Sequence, residues 1–250
     1  MPASVRLLDA EPGLARFMNG VDAEALEGLP VPVVTAGAGE VDAGAIIAAQ
    51  RAFGLLLLDG MLVRRIVVGE TATLRLLGPG DVLSAPPADS SMLVGSAGWR
   101  AAVPTRMAVL GREVLIAMHR APRLAAGLHA HSTEQADRVA LQLAICQLPR
   151  VEDRVLSLLW LLAESWGQVT SEGTALRLHL THETLGGLVG ARRSTVTLAI
   201  GQLTDAGAIL RHERGWLLLK RPVGVTVAPA TEQDPELLDR HLTVVQLPRE

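Results

Sequence analysis

A chain of 250 residues that is 49% hydrophobic can bury one large core or two modest ones, and its length leans to two domains. Mean hydropathy is positive, yet the longest apolar runs, 55–58 and 155–163, fall far short of the roughly 18 residues a membrane span needs. The N-terminal MPASVRLLDAEPG has no basic lead into an apolar stretch, so a soluble, cytoplasmic protein with no membrane partner is expected. One cysteine, Cys146, excludes an internal disulfide framework, a four-cysteine iron–sulfur cluster and a Cys-rich zinc site. The net charge of −3 is unevenly spread: residues 177–221 hold seven Lys/Arg against three acids, whereas the first 148 hold 12 Arg against 14 acids. A local basic excess suits a phosphate-facing surface.

Residues 1–40 are poorly periodic and punctuated by Pro12, Pro30 and Pro32, with one short helix predicted over about 14–29. Short β-compatible runs follow at 31–35, 55–58, 62–68, 73–77 and 107–110. They are separated by turn signals such as Asp59-Gly60 and Gly78-Pro79-Gly80-Asp81, which together predict a small β-barrel or roll. A short helix near 112–119 reaches Pro122, which can occupy a first helical turn. A long helix is predicted from about 123 to 147, ended by Pro149. Along it Leu128, Ser132, Ala136, Val139, Leu143 and Cys146 recur at steps of three or four, a seam for a partner helix, though an imperfect heptad. The same stripe would also serve a helix that covers its own roll. Val151, Val155, Leu158, Leu159 and Leu162 then form a wide apolar stripe, the first core helix of a further domain.

The segment 181–209 carries the most information. Thr181 can N-cap a helix, Leu185, Leu188 and Val189 fall at helical spacing, and Gly190 supplies the backbone freedom of a tight turn. A second amphipathic run begins near Arg193, buries Val196, Ile200 and Leu203, and stops at Gly207. Its opposite face opens with Arg193, Ser194, Thr195 and Thr197. Two short helices about a tight turn, the second opening with a guanidinium and hydroxyls, match the plan of a DNA-reading helix-turn-helix. Ile209-Leu210-Arg211 and Trp216-Leu217-Leu218-Leu219, joined by His212-Glu213-Arg214-Gly215, read as a hairpin that would form a wing. The competing explanation is a small helical core with surface arginines.

LTHETLGGLVGARRSTVTLAIGQLTDAGAI resembles the winged helix-turn-helix of the cyclic-AMP-receptor/Fnr (Crp/Fnr) regulators in its Thr cap, Leu-Val-Gly turn, Arg-x-Thr-Val start and Ala-Gly-Ala-Ile exit. FGLLLLDGMLVRRI and LRLLGPGDVLS resemble the strands and Gly-x-Gly-Asp turn of that family's cyclic-nucleotide-binding-type roll. The resemblance implies an α+β chain with a sensor-like N-terminal β-roll (1–120), a dimerisation helix (121–148) and a winged helix-turn-helix (149–221), followed by an extension (222–250) with a possible short helix at PELLDRHL. It implies a homodimer on a pseudo-palindromic double-stranded operator, with RNA polymerase a candidate further partner. Arg193 matches the family's first base-reading position, whereas Ser194 replaces a Glu and Leu198 stands where a second Arg would fall, so the usual half-site does not carry over. Arg192 is expected at phosphate, and Thr181, His182, Arg211 and Arg214 in backbone positioning.

The resemblance weakens at the ligand site. Ser84-Ala85 fall on the family's Gly-Glu pair and Gly95 on its phosphate-binding Arg, with Arg100 a substitute only in a shifted register. A buried phosphate without a cation is costly, so cyclic AMP is not expected and the effector is unassigned. Haem is a second option, with His119, His129, His131, Cys146 or an exposed Pro2 amine as chemically able ligands that share no spacing motif. There is no Gly-x-Ser-x-Gly, His-Glu-x-x-His or Walker-type loop, and no enzyme is expected. Two alternatives to a DNA-binding regulator stay open: a ligand- or haem-binding sensor, and a protein-interaction module with a vestigial DNA-binding domain.

Overall fold

A computed structural model describes residues 3–26, 28–84, 96–212 and 215–222. Pro2, Ala85, Gly95, Arg214 and the expected helix in the C-terminal extension lie outside the described residues.

The chain opens with β1 (Ser4–Arg6), α1 (Leu7–Ala10), a 3-10 helix (Pro12–Phe17) and α2 (Gly20–Leu26). The single helix predicted over 14–29 is thus divided. Pro12 and the Glu11 carboxylate, which accepts from Gly13 N at 3.0 Å, start the first piece; Asn19 Oδ1 accepts from Asp22 N at 2.7 Å and starts the second. The roll then comprises β2 (Pro30–Ala36), β3 (Gly39–Val41), α3 (Ala43–Ala49), β4 (Gly54–Asp59), β5 (Leu62–Val68), β6 (Thr71–Leu77), β7 (Val82–Leu83), β8 (Ser96–Ala101) and β9 (Thr105–Leu110). All five predicted strand runs are present; α3 is an addition, begun by Asp42 accepting from Ala45 N.

Two antiparallel sheets, ordered β1-β2-β9-β4-β7 and β3-β8-β5-β6, enclose one core that includes Leu55, Leu57, Leu62, Leu77 and Met107. On the outer face of the first sheet, Leu7, Leu14, Leu56 and Leu110 pack with α4 (Arg112–Arg120) and the start of α5 (Pro122–Gln147). This explains the unbroken apolar run in β4. Alternate side chains point to opposite faces, and both faces are covered, so Leu55, Leu56 and Leu57 are each fully buried. Each such leucine contributes about 1.5–3 kcal/mol relative to exposure.

After α5 come α6 (Val151–Trp166), β10 (Gly167–Val169), β11 (Thr174–Leu176), α7 (His182–Val189), α8 (Arg193–Asp205), β12 (Ile209–His212) and β13 (Gly215–Leu218). The β10–β11 hairpin is not in the sequence reading. It pairs with the wing in the order β10-β11-β13-β12, which turns an otherwise marginal two-stranded hairpin into a four-stranded sheet. The second large core joins α6, α7, α8 and the wing through Val155, Leu159, Leu185, Val196 and Trp216.

This domain sits against the roll and α5. Gly187 lies so close to β6 that a Cβ there would stand 2.7 Å from Leu74. Gln142 Nε2 donates to Leu74 O at 2.9 Å and to Leu188 O at 3.0 Å, tying α5 to both. Arg138 forms an ion pair with Asp81 and donates to Ser165 Oγ, so the same helix links the roll's Gly-Pro-Gly-Asp turn to α6.

Candidate nucleic-acid interface

The geometry of the 181–209 segment follows from its capping chemistry. Thr181 Oγ1 accepts from Thr184 N at 3.0 Å and starts α7, and Gly190 ends it in the left-handed region at φ 65°. Arg192 precedes α8 in extended backbone and makes no side-chain cap. Val196, Ala199, Ile200 and Leu203 are buried against α6 and α7. Arg192, Arg193, Ser194, Thr195, Thr197 and Leu198 are exposed on the opposite face. The docking against β6 and α5 uses α7, so the outer face of α8 stays open to solvent.

One hydrogen-bonded link was not foreseen. Thr197 Oγ1 donates to Arg193 O at 3.0 Å, and His182 Nδ1 lies 2.8 Å from the same oxygen. A hydroxyl has one proton, so Thr197 Oγ1 accepts from His182 Nδ1. The two helices of the motif are thereby joined at their solvent edge, and Thr197 has only one acceptor site left for an outside partner.

On the wing, the Arg211 guanidinium stacks 4.5 Å from the centroid of Trp216, whose ring is buried. Stacking holds the charge at the surface rather than letting it range freely. Lys220 Nζ donates to Ala206 O at 2.6 Å and satisfies the carbonyl end of α8. Two exposed features of α8 carried little weight in the sequence reading. Leu198 is 64% exposed, and Gln202 lies one turn further along the same exposed face. A leucine can touch a thymine methyl and a glutamine can pair with adenine. The signal was in the spacing, because positions 194, 198 and 202 recur every four residues.

The predicted seam on α5 is divided among three surroundings. Ser132, Ala136, Val139 and Leu143 are exposed, and Leu143 is 63% accessible. Leu128 instead belongs to the core beneath the roll, and Cys146 Sγ faces Leu188 O at 3.5 Å. Burial pushes the Cys146 thiol up from its usual range, with Arg154 pulling the other way.

Of the ligand-site positions, Ser84 follows β7, and Arg100 is exposed on the face of β8 opposite Trp99, so it does not enter the roll. The histidines considered for haem are dispersed: His119 is exposed in the last turn of α4, His129 is exposed on α5, and His131 sits 4.0 Å from Glu11. Among the described residues, no helix is long and apolar enough to cross a membrane.

Comparison with known proteins agrees with this geometry. Residues 153–223 match the Crp-like helix-turn-helix domain. Over 83 residues the chain is 35% identical to the regulatory protein CysR of Synechococcus elongatus, a match covering 32% of this chain and 40% of that protein. A CooA variant from Carboxydothermus hydrogenoformans superimposes with a TM-score of 0.60 at 16% identity, over 86% of this chain and 90% of the other. A cyclic nucleotide-binding domain containing protein from Listeria monocytogenes gives a TM-score of 0.61 at 13% identity, over 76% and 89%. At those identities the likeness is one of fold: a cyclic-nucleotide-binding-type roll followed by a helix-turn-helix domain.

Proposed function

We propose that this chain, which joins a Crp-like helix-turn-helix domain to the fold of the Crp/Fnr regulators, is a cytoplasmic, dimeric, DNA-binding transcription regulator. The observation that carries the reading is the open face of α8, where Arg193, Ser194, Thr195 and Leu198 stand exposed, in a domain whose wing holds Arg211 stacked at the surface. In this reading α8 enters the major groove by its N-terminal turn, where the positive end of the helix dipole favours the phosphates. Arg193 reads guanine through its two-pronged guanidinium, Ser194 and Thr195 add hydroxyl contacts to bases or backbone, and Thr197 accepts from a base amino group. Arg192, Arg211 and Arg214 meet phosphate, while Thr181 and His182 position the first helix of the motif against the backbone.

The partner is a second copy of the chain, joined through the outward face of α5. Ser132, Ala136, Val139 and Leu143 are exposed there, a strip of small and apolar side chains that a partner helix would cover. Two such DNA-binding domains would meet half-sites about one helical turn apart. Bound at a promoter, the dimer would act by assisting or obstructing RNA polymerase.

Selection of genomic fragments by the purified full chain, at two salt concentrations, tests the reading. It expects a two-fold symmetric motif whose recovery falls steeply with salt as counterions are released. Absence of an enriched motif at low salt, or a motif without symmetry, counts against it. Leu143→Glu should shift the protein towards monomer in sedimentation and lower operator affinity by about two orders of magnitude or more, because one half-site then binds alone. A fully dimeric Leu143→Glu variant would place the interface elsewhere.

A further inference from the structure

A cavity of about 400 Å³ lies between the roll and the start of α5, within the usual size range for a small-molecule site. Its polar wall is unusual for the inside of a small roll. In the sheet ordered β3-β8-β5-β6, Ala101, Leu62 and Leu77 form one inward row, all buried and apolar. Two residues along, the next inward row is Trp99, Arg64 and Arg75, with Arg64 directly paired to each of its neighbours in the strand register. Interior positions are normally filled by apolar side chains, and a charge placed there is costly unless it is paired.

These arginines are poorly paired. The Arg64 guanidinium lies 5.2 Å from the Trp99 ring centroid, and its Nε is buried with no hydrogen-bond partner among the described residues. Neither Arg64 nor Arg75 has a carboxylate within ion-pair distance among the described residues. Among the described residues, the acid in electrostatic reach of Arg75 is Asp81, already engaged by Arg138 and by Gly78 N. Burial draws the Arg75 guanidinium down, Asp81 opposes this, and the neighbouring Arg64 and Arg138 reinforce it. Among the described residues, two guanidiniums therefore share one cavity wall without an anion between them.

The other walls set the character of what would fit. Phe53, Leu110 and Leu128 are apolar, and Gln135 already donates its amide to Val82 O at 3.1 Å. Ser84, His129 and Ser132 add polar groups, and none of the described lining residues is acidic, so a ribose hydroxyl would find no carboxylate acceptor among them. The anion-binding position implied by the resemblance, Gly95, carries no side chain, so the arginines of this wall come from other positions, on β5 and β6. We propose that the cavity binds a small, non-nucleotide organic anion, its carboxylate or sulfonate held by Arg64 and Arg75 and its flat apolar body lying along Trp99 and Phe53. The proposal concerns ligand binding alone and does not depend on the DNA reading.

A matched pair of fluorescent probes tests it on the full chain: 8-anilinonaphthalene-1-sulfonate and its uncharged analogue N-phenyl-1-naphthylamine, which share an aromatic body and differ in the anionic group. The expected result is one saturable site per chain, with the sulfonate binding at least about tenfold tighter than the neutral probe, as charge-assisted hydrogen bonds require. Arg64→Gln and Arg75→Gln should each remove most of that preference while changing affinity for the neutral probe less than about twofold. Arg75→Lys should retain part of it, because the charge remains but the planar fork is lost. Thermal melts guard against misfolding: relieving an unpaired buried charge should leave the melting temperature of Arg75→Gln unchanged or raised. Equal affinity for the two probes, or a sulfonate preference that survives both Gln variants, overturns the site. A melting temperature lowered by Arg75→Gln would mark the arginine as structural. Displacement of the sulfonate by cyclic AMP in an Arg64- and Arg75-dependent manner would overturn the non-nucleotide assignment.

Discussion

Arg193 and Arg75 place the same guanidinium in opposite surroundings. Arg193 stands on the open face of α8, with Arg192 next to it in the chain and bulk water around it. Arg75 faces into the roll beside Arg64, where α5 presents Leu128, His129, Ser132, Gln135 and Ala136 to the same cavity. An exposed cation is fully solvated and gains affinity for a polyanion chiefly by releasing the counterions of that polyanion. A half-buried cation has already lost much of its water and is poised for a single fitted anion. Residue type alone does not assign an arginine to DNA or to a small ligand; the desolvation around it does.

The largest expected effect separates the two regions by removing one of them. Val196 is fully buried where α8 meets its domain, and Val196→Asp would leave a carboxylate there without a partner. Loss of on the order of 4 kcal/mol or more is expected, a large fraction of a domain's typical stability of about 5–15 kcal/mol, with operator binding strongly weakened. Denaturant unfolding followed by circular dichroism would measure it, and a variant of normal stability would mean that the helix packs differently. The next effect is local. Arg193→Ala should lose about 1–3 kcal/mol at one half-site position and relax specificity there. Affinities for single-base operator variants would show this, and a uniform loss across all of them would make Arg193 a phosphate contact.

A smaller change tests the start of the motif. Thr181→Ala removes the hydroxyl that accepts from Thr184 N and should destabilise the domain by about 1 kcal/mol, without altering which bases are preferred. An unchanged unfolding midpoint would show that the cap is redundant. The smallest effect lies on α5, between the two regions. Because burial raises the Cys146 thiol, the thiolate is scarce at neutral pH and appears only as pH climbs beyond the ordinary thiol range. Alkylation by iodoacetamide should be slow at neutral pH and accelerate with rising pH; rapid modification at neutral pH would contradict that assignment.

The two regions also differed in how legible they were. The helix-turn-helix could be read because its signals are local: a Thr cap, a left-handed Gly190, a 3.6-residue apolar repeat and a glycine at the wing. The long helix and the roll strands were legible for the same reason. The β10–β11 hairpin was missed because its strands are only three residues each and Val169 is exposed, so no alternation marks them. The arginine wall was missed for a different reason. Arg64 and Arg75 are equally spaced about the Gly69-Glu70 turn, so the hairpin pairs them. The adjacent Arg64-Arg65 nevertheless interrupts the in–out pattern and hides which one faces inward. Only the register to Trp99 on β8, contributed by a distant part of the chain, fixes that choice.

The dimeric DNA-reading account is tested most directly by the spacing of the half-sites in a selected operator. Operators lengthened at the centre by about five and about ten base pairs would be compared with the original for affinity to the full chain, since about ten base pairs make one helical turn. A symmetric dimer predicts a large loss at the half-turn insertion, which throws the two half-sites onto opposite faces of the duplex. Equal affinity for all three spacings would contradict the account, because a protein indifferent to half-site geometry does not read DNA as a two-fold pair.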